Sequence, residues 1–310
     1  MGNYGFVQVG ANSRCRICGK DSWCSVTEDG SLVVCRRVAT GAIRAGLDKN
    51  GASYYVHRLG KNAHTPFRKP PKAVVEISLA DIDGLHRVYS ELLALLPLSD
   101  VHRKALHDRG LSDKEIEHRQ YRSFPTKGRY ELADALVKRF GEPLCSQIPG
   151  LAVQRVRNLN IWNMSHTPGP GIFVPSRDIL GRIEALKIRR DQCDPGPRYI
   201  YFSSRKMGGP GPGARVHVPL HQNRGETIRL TEGELKADIA TALSGLLTIS
   251  IPGVQSWRMA ISILKALQAR TVRIAFDADA NTNINVAKSL RDAMVAFQQE
   301  GLGLEVESWN

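Results

Sequence analysis

The chain has 310 residues, 42% of them hydrophobic, which is enough to bury a core in two or three domains and excludes a disordered protein. No apolar run reaches the length of a membrane span, and Met1-Gly-Asn-Tyr-Gly5 lacks the segments of a secretion signal, so a cytoplasmic protein without membrane attachment is expected. The net charge of +13 is uneven: residues 1–225 hold 35 Lys and Arg against 20 Asp and Glu, residues 226–310 hold 8 against 10, which predicts a polyanionic partner for the first part and a metal for the second.

Of the six cysteines, four crowd into the N-terminal end, and a cytoplasmic chain of this length does not need a disulfide framework. Cys15-Arg-Ile-Cys18 is followed by Gly19-Lys20, the form of a zinc knuckle, where a tight turn lets two thiolates grip one tetrahedral ion. Cys24 and Cys35 flank a turn signal, Glu28-Asp29-Gly30, so a hairpin brings them together. Zinc bound by Cys15, Cys18, Cys24 and Cys35 is the expectation, with His57 or His64 as an alternative to one cysteine. The β module ends near residue 60 with the strand-like Ser53–His57. Arg14, Arg16, Arg36 and Arg37 are candidates for a phosphate backbone, and Trp23 for stacking on bases or for the module's own core.

Residues 61–78 are basic and proline-rich, with no apolar period, and read as a linker. Leu85, Val88, Tyr89, Leu92, Leu93 and Leu96 then recur at helical spacing before Pro97. Ser99 caps a second helix through His107, Gly110 closes it, and Ser112 with Glu115 makes a capping box for a third. One more helix spans Tyr130–Phe140. The pattern changes to strands over Ile172–Asp178 and Gly181–Arg190, joined by a turn, then Arg198–Ser203, a stiff Gly208–Gly213 loop and the short strand Val216–Pro219. That loop is not a P-loop, because no Gly-Lys-Ser or Gly-Lys-Thr follows it.

From residue 226 the elements alternate: strand to Glu232, helix Leu235–Leu243, strand Leu247–Ile251, helix Ser256–Gln268, strand Val272–Phe276, helix Asn285–Gln299 and strand Leu304–Ser308. This is a mainly parallel sheet with right-handed crossovers. Two of its strands stop at carboxylates, Glu232 and the Asp277-Ala-Asp279 pair, at the lip where such sheets bind ligands. If the second strand persists through Asp279, both aspartates share one face. Three converging carboxylates call for a divalent cation, and oxygen ligands suit Mg²⁺ or Mn²⁺.

Glu232-Gly233, Pro252-Gly253-Val254 and Asp277-x-Asp279 together resemble the Toprim domain. Upstream, Ile172-Phe-Val-Pro-x-Arg-Asp-x-x-Gly181-Arg-Ile, Lys187-Ile-Arg189 and Pro197-Arg198-Tyr199 resemble the basic subdomain of bacterial-type DNA primases. Arg109-Gly-Leu-Ser112 resembles the helical element before it, and an N-terminal zinc module completes the order. The likeness covers nearly the whole chain and is nearest to primases of phages, plasmids and other mobile elements. Three positions depart from the family pattern. Two spaced cysteines replace its usual second pair, Lys236 stands where an aspartate is common, with Asp238 two further on, and Ala280-Asn-Thr-Asn283 replaces a glycine-containing turn.

The resemblance implies an α/β chain of four parts: a zinc-binding β module over 1–60, the linker 61–78, a helical plus β basic subdomain over 79–225, and a Toprim-like metal-binding domain over 226–310. It implies RNA primer synthesis on a single-stranded DNA template. Glu232, Asp277 and Asp279 then hold Mg²⁺ or Mn²⁺, and Arg177, Lys187, Arg189, Arg190 and Arg198 bind the NTP phosphates and the template. The strand at Trp309-Asn310 reads as a fragment boundary, with a further acidic group and an attached replicative helicase expected beyond residue 310. The rivals are a Toprim nuclease using the same carboxylates, and a non-catalytic DNA-binding module for the helicase.

Overall fold

The computed structural model describes residues 5–48, 52–59, 78–156, 159–164, 169–193, 196–221, 225–276 and 284–307. His64, Asp277, Asp279 and nearly all of the expected linker lie outside the described residues. These residues form two compact units.

The first unit is built on an antiparallel sheet of β1 (Phe6–Gln8), β2 (Ser25–Thr27), β3 (Leu32–Cys35), β4 (Arg44–Leu47) and β5 (Ser53–Arg58), in the order β1-β2-β3-β5-β4. The β2–β3 turn closes as its residues dictate. Gly30 takes a positive φ of 71°, and the Asp29 carboxylate accepts from the Ser31 backbone N–H and hydroxyl. The paired register Ser25↔Val34 places Cys24 beside Cys35, as the turn signal predicted. The small core around the cysteines contains Val9, Val26 and Val33.

The second unit begins with α1 (Ile82–Ala94), α2 (Asp100–His107) and α3 (Asp113–Arg119). Their starts are set locally: the Asp81, Ser99 and Ser112 side chains accept from the backbone N–H groups of Gly84, His102 and Glu115. Then follow β6 (Arg122–Ser123), α4 (Arg129–Phe140), α5 (Glu142–Cys145), the hairpin β7 (Leu151–Val156) and β8 (Leu159–Met164), and β9 (Gly171–Arg177), β10 (Ile183–Arg190) and β11 (Tyr199–Tyr201). In the antiparallel sheet β11-β10-β9-β6, the central strand β9 is buried on both faces. On one face Phe173 and Phe202 meet edge-on at 5.2 Å within a core that includes Tyr89, Leu92 and Leu136. On the other, Ile172 and Val174 pack with Leu106, Ile116, Tyr121 and Leu235.

The remaining elements are β12 (Thr227–Glu232), α6 (Glu234–Ser244), β13 (Thr248–Ile251), α7 (Arg258–Ala266), β14 (Thr271–Ile274), α8 (Ile284–Gln299) and β15 (Gly303–Val306), of which residues 258–259 of α7 and 284–293 of α8 group with the first unit. All pairings in this sheet are parallel, in the order β13-β12-β14-β15. The chain leaves β12 for β13 on one side and returns to its other side for β14. The crevice at the ends of β12 and β14 is therefore the topological switch point, the place where open α/β sheets bind ligands. β14 ends at Ile274, before Asp277.

A short segment at His217 and Val218 links the two sheets. The backbone of His217 exchanges hydrogen bonds with Ser250 of β13 at 2.8 and 2.9 Å, and Val218 N–H donates to the Arg177 carbonyl at the end of β9 at 2.9 Å. The His217 ring continues the link: Nδ1 accepts from the Arg177 backbone N–H at 3.0 Å, which leaves Nε2 to donate to Asp238 Oδ1 at 3.2 Å. Asp238 lies on the buried side of α6, where the Tyr121 hydroxyl donates to its other oxygen and Arg119 Nε pairs with it at 3.2 Å. Burial alone raises the Asp238 pKa, but His217, Arg119 and Tyr121 outweigh it and hold the carboxyl below the ordinary aspartate value.

Asp238→Ala should destabilise the protein by at least about 1–3 kcal/mol, because it leaves the buried Tyr121 hydroxyl and His217 Nε2 without an acceptor while Arg119 keeps Glu115, and equilibrium urea unfolding measures this. Since the folded pKa is depressed, the carboxylate's contribution is present above the unfolded value of about 4 and is lost as the pH falls below it. Between about pH 6 and about pH 3 the wild type should lose more stability than Asp238→Asn; equal losses would contradict this role.

Candidate functional site

The four N-terminal cysteines converge. Their sulfur atoms all lie within 4.8 Å of one another, with Cys18 and Cys24 at 3.7 Å and Cys24 and Cys35 at 3.9 Å. A tetrahedral zinc with Zn–S bonds of about 2.3 Å has S···S edges of about 3.8 Å, so these two pairs already stand at the spacing the ion imposes. All four are free of disulfides.

The knuckle is shaped by backbone bonds from Gly19 N–H to the Cys15 carbonyl and from Cys15 N–H to the Lys20 carbonyl, both 2.7 Å, with Gly19 at a φ of 70°. Around the sulfurs, Arg36 N–H points to Cys24 at 3.5 Å, and Arg37 and Val38 N–H to Cys35 at 3.4 Å. The Arg37 guanidinium lies 3.6 Å from Cys24 and 3.8 Å from Cys18. These donors offset the net negative charge that four thiolates give a zinc site. Burial alone raises the Cys18 thiol, but hydrogen bonds from Lys20 N–H, the neighbouring thiols and Arg37 bring it down to about 7. Burial pushes the Cys24 and Cys35 thiols up.

His57, the alternative ligand, is occupied elsewhere, with Nε2 at 2.8 Å from the Val38 carbonyl. Arg36 pairs with Asp48 at 2.8 Å and lies over the Tyr54 ring, so it serves the module itself. Arg14, Arg16 and Lys20 are exposed, as is Trp23, 63% accessible at a positive φ of 69°.

In the second unit Glu232 is the last residue of β12 and is half-buried at the switch point. The turn behind it is held on both sides, by Gly233 N–H to the Ile251 carbonyl at 3.3 Å and by the Thr231 hydroxyl to the Ala275 carbonyl at 2.8 Å. Gly233 has a φ of 84°, so the chain reverses there into α6 at no steric cost. Lys236, where an aspartate was expected, is exposed on α6.

The five basic residues expected to bind nucleotide divide into two kinds. Arg177 is buried, and its guanidinium donates to the Gly181 carbonyl at 2.8 Å, the Arg119 carbonyl at 3.2 Å and Gln120 Oε1 at 2.8 Å. Lys187 is also buried, with Nζ 2.7 Å from Glu234 Oε1 and 4.8 Å from the centre of the Tyr201 ring. Arg189 and Arg190 are half-buried at the end of β10, and Arg198 is exposed. The Nε atoms of Arg189 and Arg190 are buried without a hydrogen-bond partner, and Arg190 Nη1 donates to the Pro197 carbonyl at 3.2 Å.

Glu234, Tyr201, His217, Arg119 and Tyr121 were not singled out from the sequence. Lys187 carried the one available signal. A lone lysine in the run Ala185-Leu-Lys-Ile188 implies a buried counter-charge, though not where in the chain it lies.

Purified without chelator, the protein should carry one zinc per chain by elemental analysis. Cys24→Ser should bring that close to zero and lower the melting temperature, because metal affinity in such modules is folding free energy.

A sequence family described as a domain of unknown function, DUF3854, matches residues 219–310, the stretch containing the parallel sheet. No curated protein sequence matches the chain. Among solved structures, the zinc-binding and RNA polymerase domains of the Aquifex aeolicus primase are similar at a TM-score of 0.53 and 15% identity, over 73% of this chain and 55% of that one. The chain therefore spans little more than half of that protein's length. The RNA polymerase domain of Mycobacterium tuberculosis primase DnaG is similar at a TM-score of 0.52 and 15% identity, over 73% and 76% of the two chains. A structure of that domain with double-stranded DNA gives 0.50 at 15% identity, over 73% of each chain. Over about three-quarters of its length, the chain has the fold of bacterial primase domains.

Proposed function

We propose that the protein is a DNA primase that makes short RNA primers on single-stranded DNA by metal-dependent nucleotidyl transfer. The observation that carries this reading is the juxtaposition of two kinds of charge. The turn bearing Glu232, at the switch point of the parallel sheet, is tied through Glu234 to β10, the strand that ends in Arg189 and Arg190. A carboxylate for a metal and half-buried cations for phosphates are thus held on adjoining elements. The shared fold and the four-cysteine cluster support the same assignment.

Glu232 would hold Mg²⁺ or Mn²⁺ together with Asp277 and Asp279, an all-oxygen donor set that fits these hard cations. The bound ion would neutralise the triphosphate and lower the pKa of the attacking 3′-hydroxyl. Arg189, Arg190 and Arg198 would bind the phosphates of the incoming nucleotide and of the template, aligning an in-line displacement. The zinc module would grip the template, with Arg14, Arg16 and Lys20 at its phosphates and Trp23 against a base. A replicative helicase would be its working partner. Among the described residues, no helix is long and apolar enough to cross a membrane.

Incubation with single-stranded DNA, NTPs and Mg²⁺ or Mn²⁺ should yield labelled oligoribonucleotides, and Asp277→Ala or Glu232→Ala should reduce the yield at least about 100-fold. Shortened DNA in that assay would favour a nuclease, and shifted but unaltered DNA a binding module. DNA affinity should fall steeply as salt rises, because contacts to phosphates release counterions, and a flat response would count against a nucleic-acid partner.

A further inference from the structure

The Lys187–Glu234 pair sits where the fold gains little from it. Glu234 is 1% exposed and Lys187 7%. Val174, opposite Lys187 in the β9–β10 register, and Leu235 beside Glu234 are both buried. Taking two charges out of water costs about as much as their attraction returns, and well-packed apolar side chains in such a place often hold a fold as well or better. The arrangement is also not saturated, since Glu234 Oε2 is buried without a hydrogen-bond partner. What an ion pair provides and an apolar contact does not is one partner in one direction.

The two ends of the pair lie on the two halves of the proposed site. Glu234 opens α6, two residues past Glu232 and immediately after the Gly233 reversal. Lys187 stands two residues before Arg189 on β10, and both face the same way: Lys187 pairs with Val174 and Arg189 with Ile172, whose side chains share the core that contains Leu235. On the neighbouring strand Tyr201 stands opposite Lys187, beneath its ammonium group.

We propose that Lys187 and Glu234 are positioning residues: their ion pair fixes the spacing between the metal-binding turn at Glu232 and the phosphate-binding cations at Arg189 and Arg190. Neither touches metal or nucleotide; they act through Glu232 and Arg189. The role rests on the nucleotidyl-transfer reading, so its test needs a binding measurement that is independent of turnover.

The full chain is compared with Lys187→Met, with Glu234→Gln, with the apolar pair Lys187→Met/Glu234→Leu and with the reversed pair Lys187→Glu/Glu234→Lys. Thermal melting identifies the variants that fold. The apolar pair should melt at or near the wild-type temperature, yet lose about 10- to 100-fold in kcat for primer synthesis with a smaller change in the KM for DNA, as expected when reacting groups are misplaced without loss of binding surface. The reversed pair should recover part of that loss. Binding of a fluorescent NTP analogue in the presence of Mg²⁺ should weaken at least about tenfold in the apolar pair, since metal and triphosphate are then no longer presented together. An apolar pair with wild-type kcat and wild-type NTP affinity would overturn the proposal. If the wild type binds the analogue but makes no primer, the polymerase reading alone fails, and the ratio of NTP affinities still decides the positioning role.

Discussion

A carboxylate taken out of water must be met by donors, and Asp238 obtains them from three residues in two separate stretches of the chain. Arg119 and Tyr121 come from the end of α3 and the residues just after it, and His217 from the segment between the two sheets. Each partner could have been satisfied by solvent; meeting at one buried charge, they fix α6 against the helical hairpin and against β9. Because α6 starts at the turn behind Glu232, the same charge orients the strand end expected to hold a metal. The geometry of the candidate site is thus inherited from a polar cluster that itself faces no ligand.

Much of this architecture is legible in the sequence, because its signals are local. Ser99 and Ser112 declare the starts of α2 and α3, and Glu28-Asp29-Gly30 declares the hairpin that brings Cys24 to Cys35. The alternation of short apolar strands and helices after residue 226 leaves few topologies open. Other elements send no such signal. β4, Arg44-Ala-Gly-Leu47, has no β-branched residue, and β7 and β8 are separated by Arg157-Asn158, without a glycine to mark a hairpin.

The roles of individual charges were harder to read, for a physical reason. On α6, Glu234, Asp238 and Thr241 recur at helical spacing and look like a solvated face, yet all three are buried. Their partners, Lys187, Arg119 and Thr248, are remote or on another element, so nothing in the local pattern separates a solvated stripe from a paired one. Arg177 and Lys187 illustrate the converse. A cation in an otherwise apolar strand is a natural candidate for phosphate, and here the Gln120 side chain, backbone carbonyls and Glu234 have already taken those charges. The net charge of +13 accordingly overstates what is available to a polyanion.

The short junction at His217 and Val218 has a mechanical meaning. Two full strands side by side resist both shear and rotation through a row of bonds, whereas the bridge between His217 and Ser250 has two. Such a seam resists pulling apart, since its bonds lie across the gap, but it offers little leverage against rocking about its own axis. Side-chain contacts away from that seam, Lys187 with Glu234, Asp238 with Arg119 and Leu235 with Ile172 and Val174, therefore carry the remaining constraint on the angle between the two sheets.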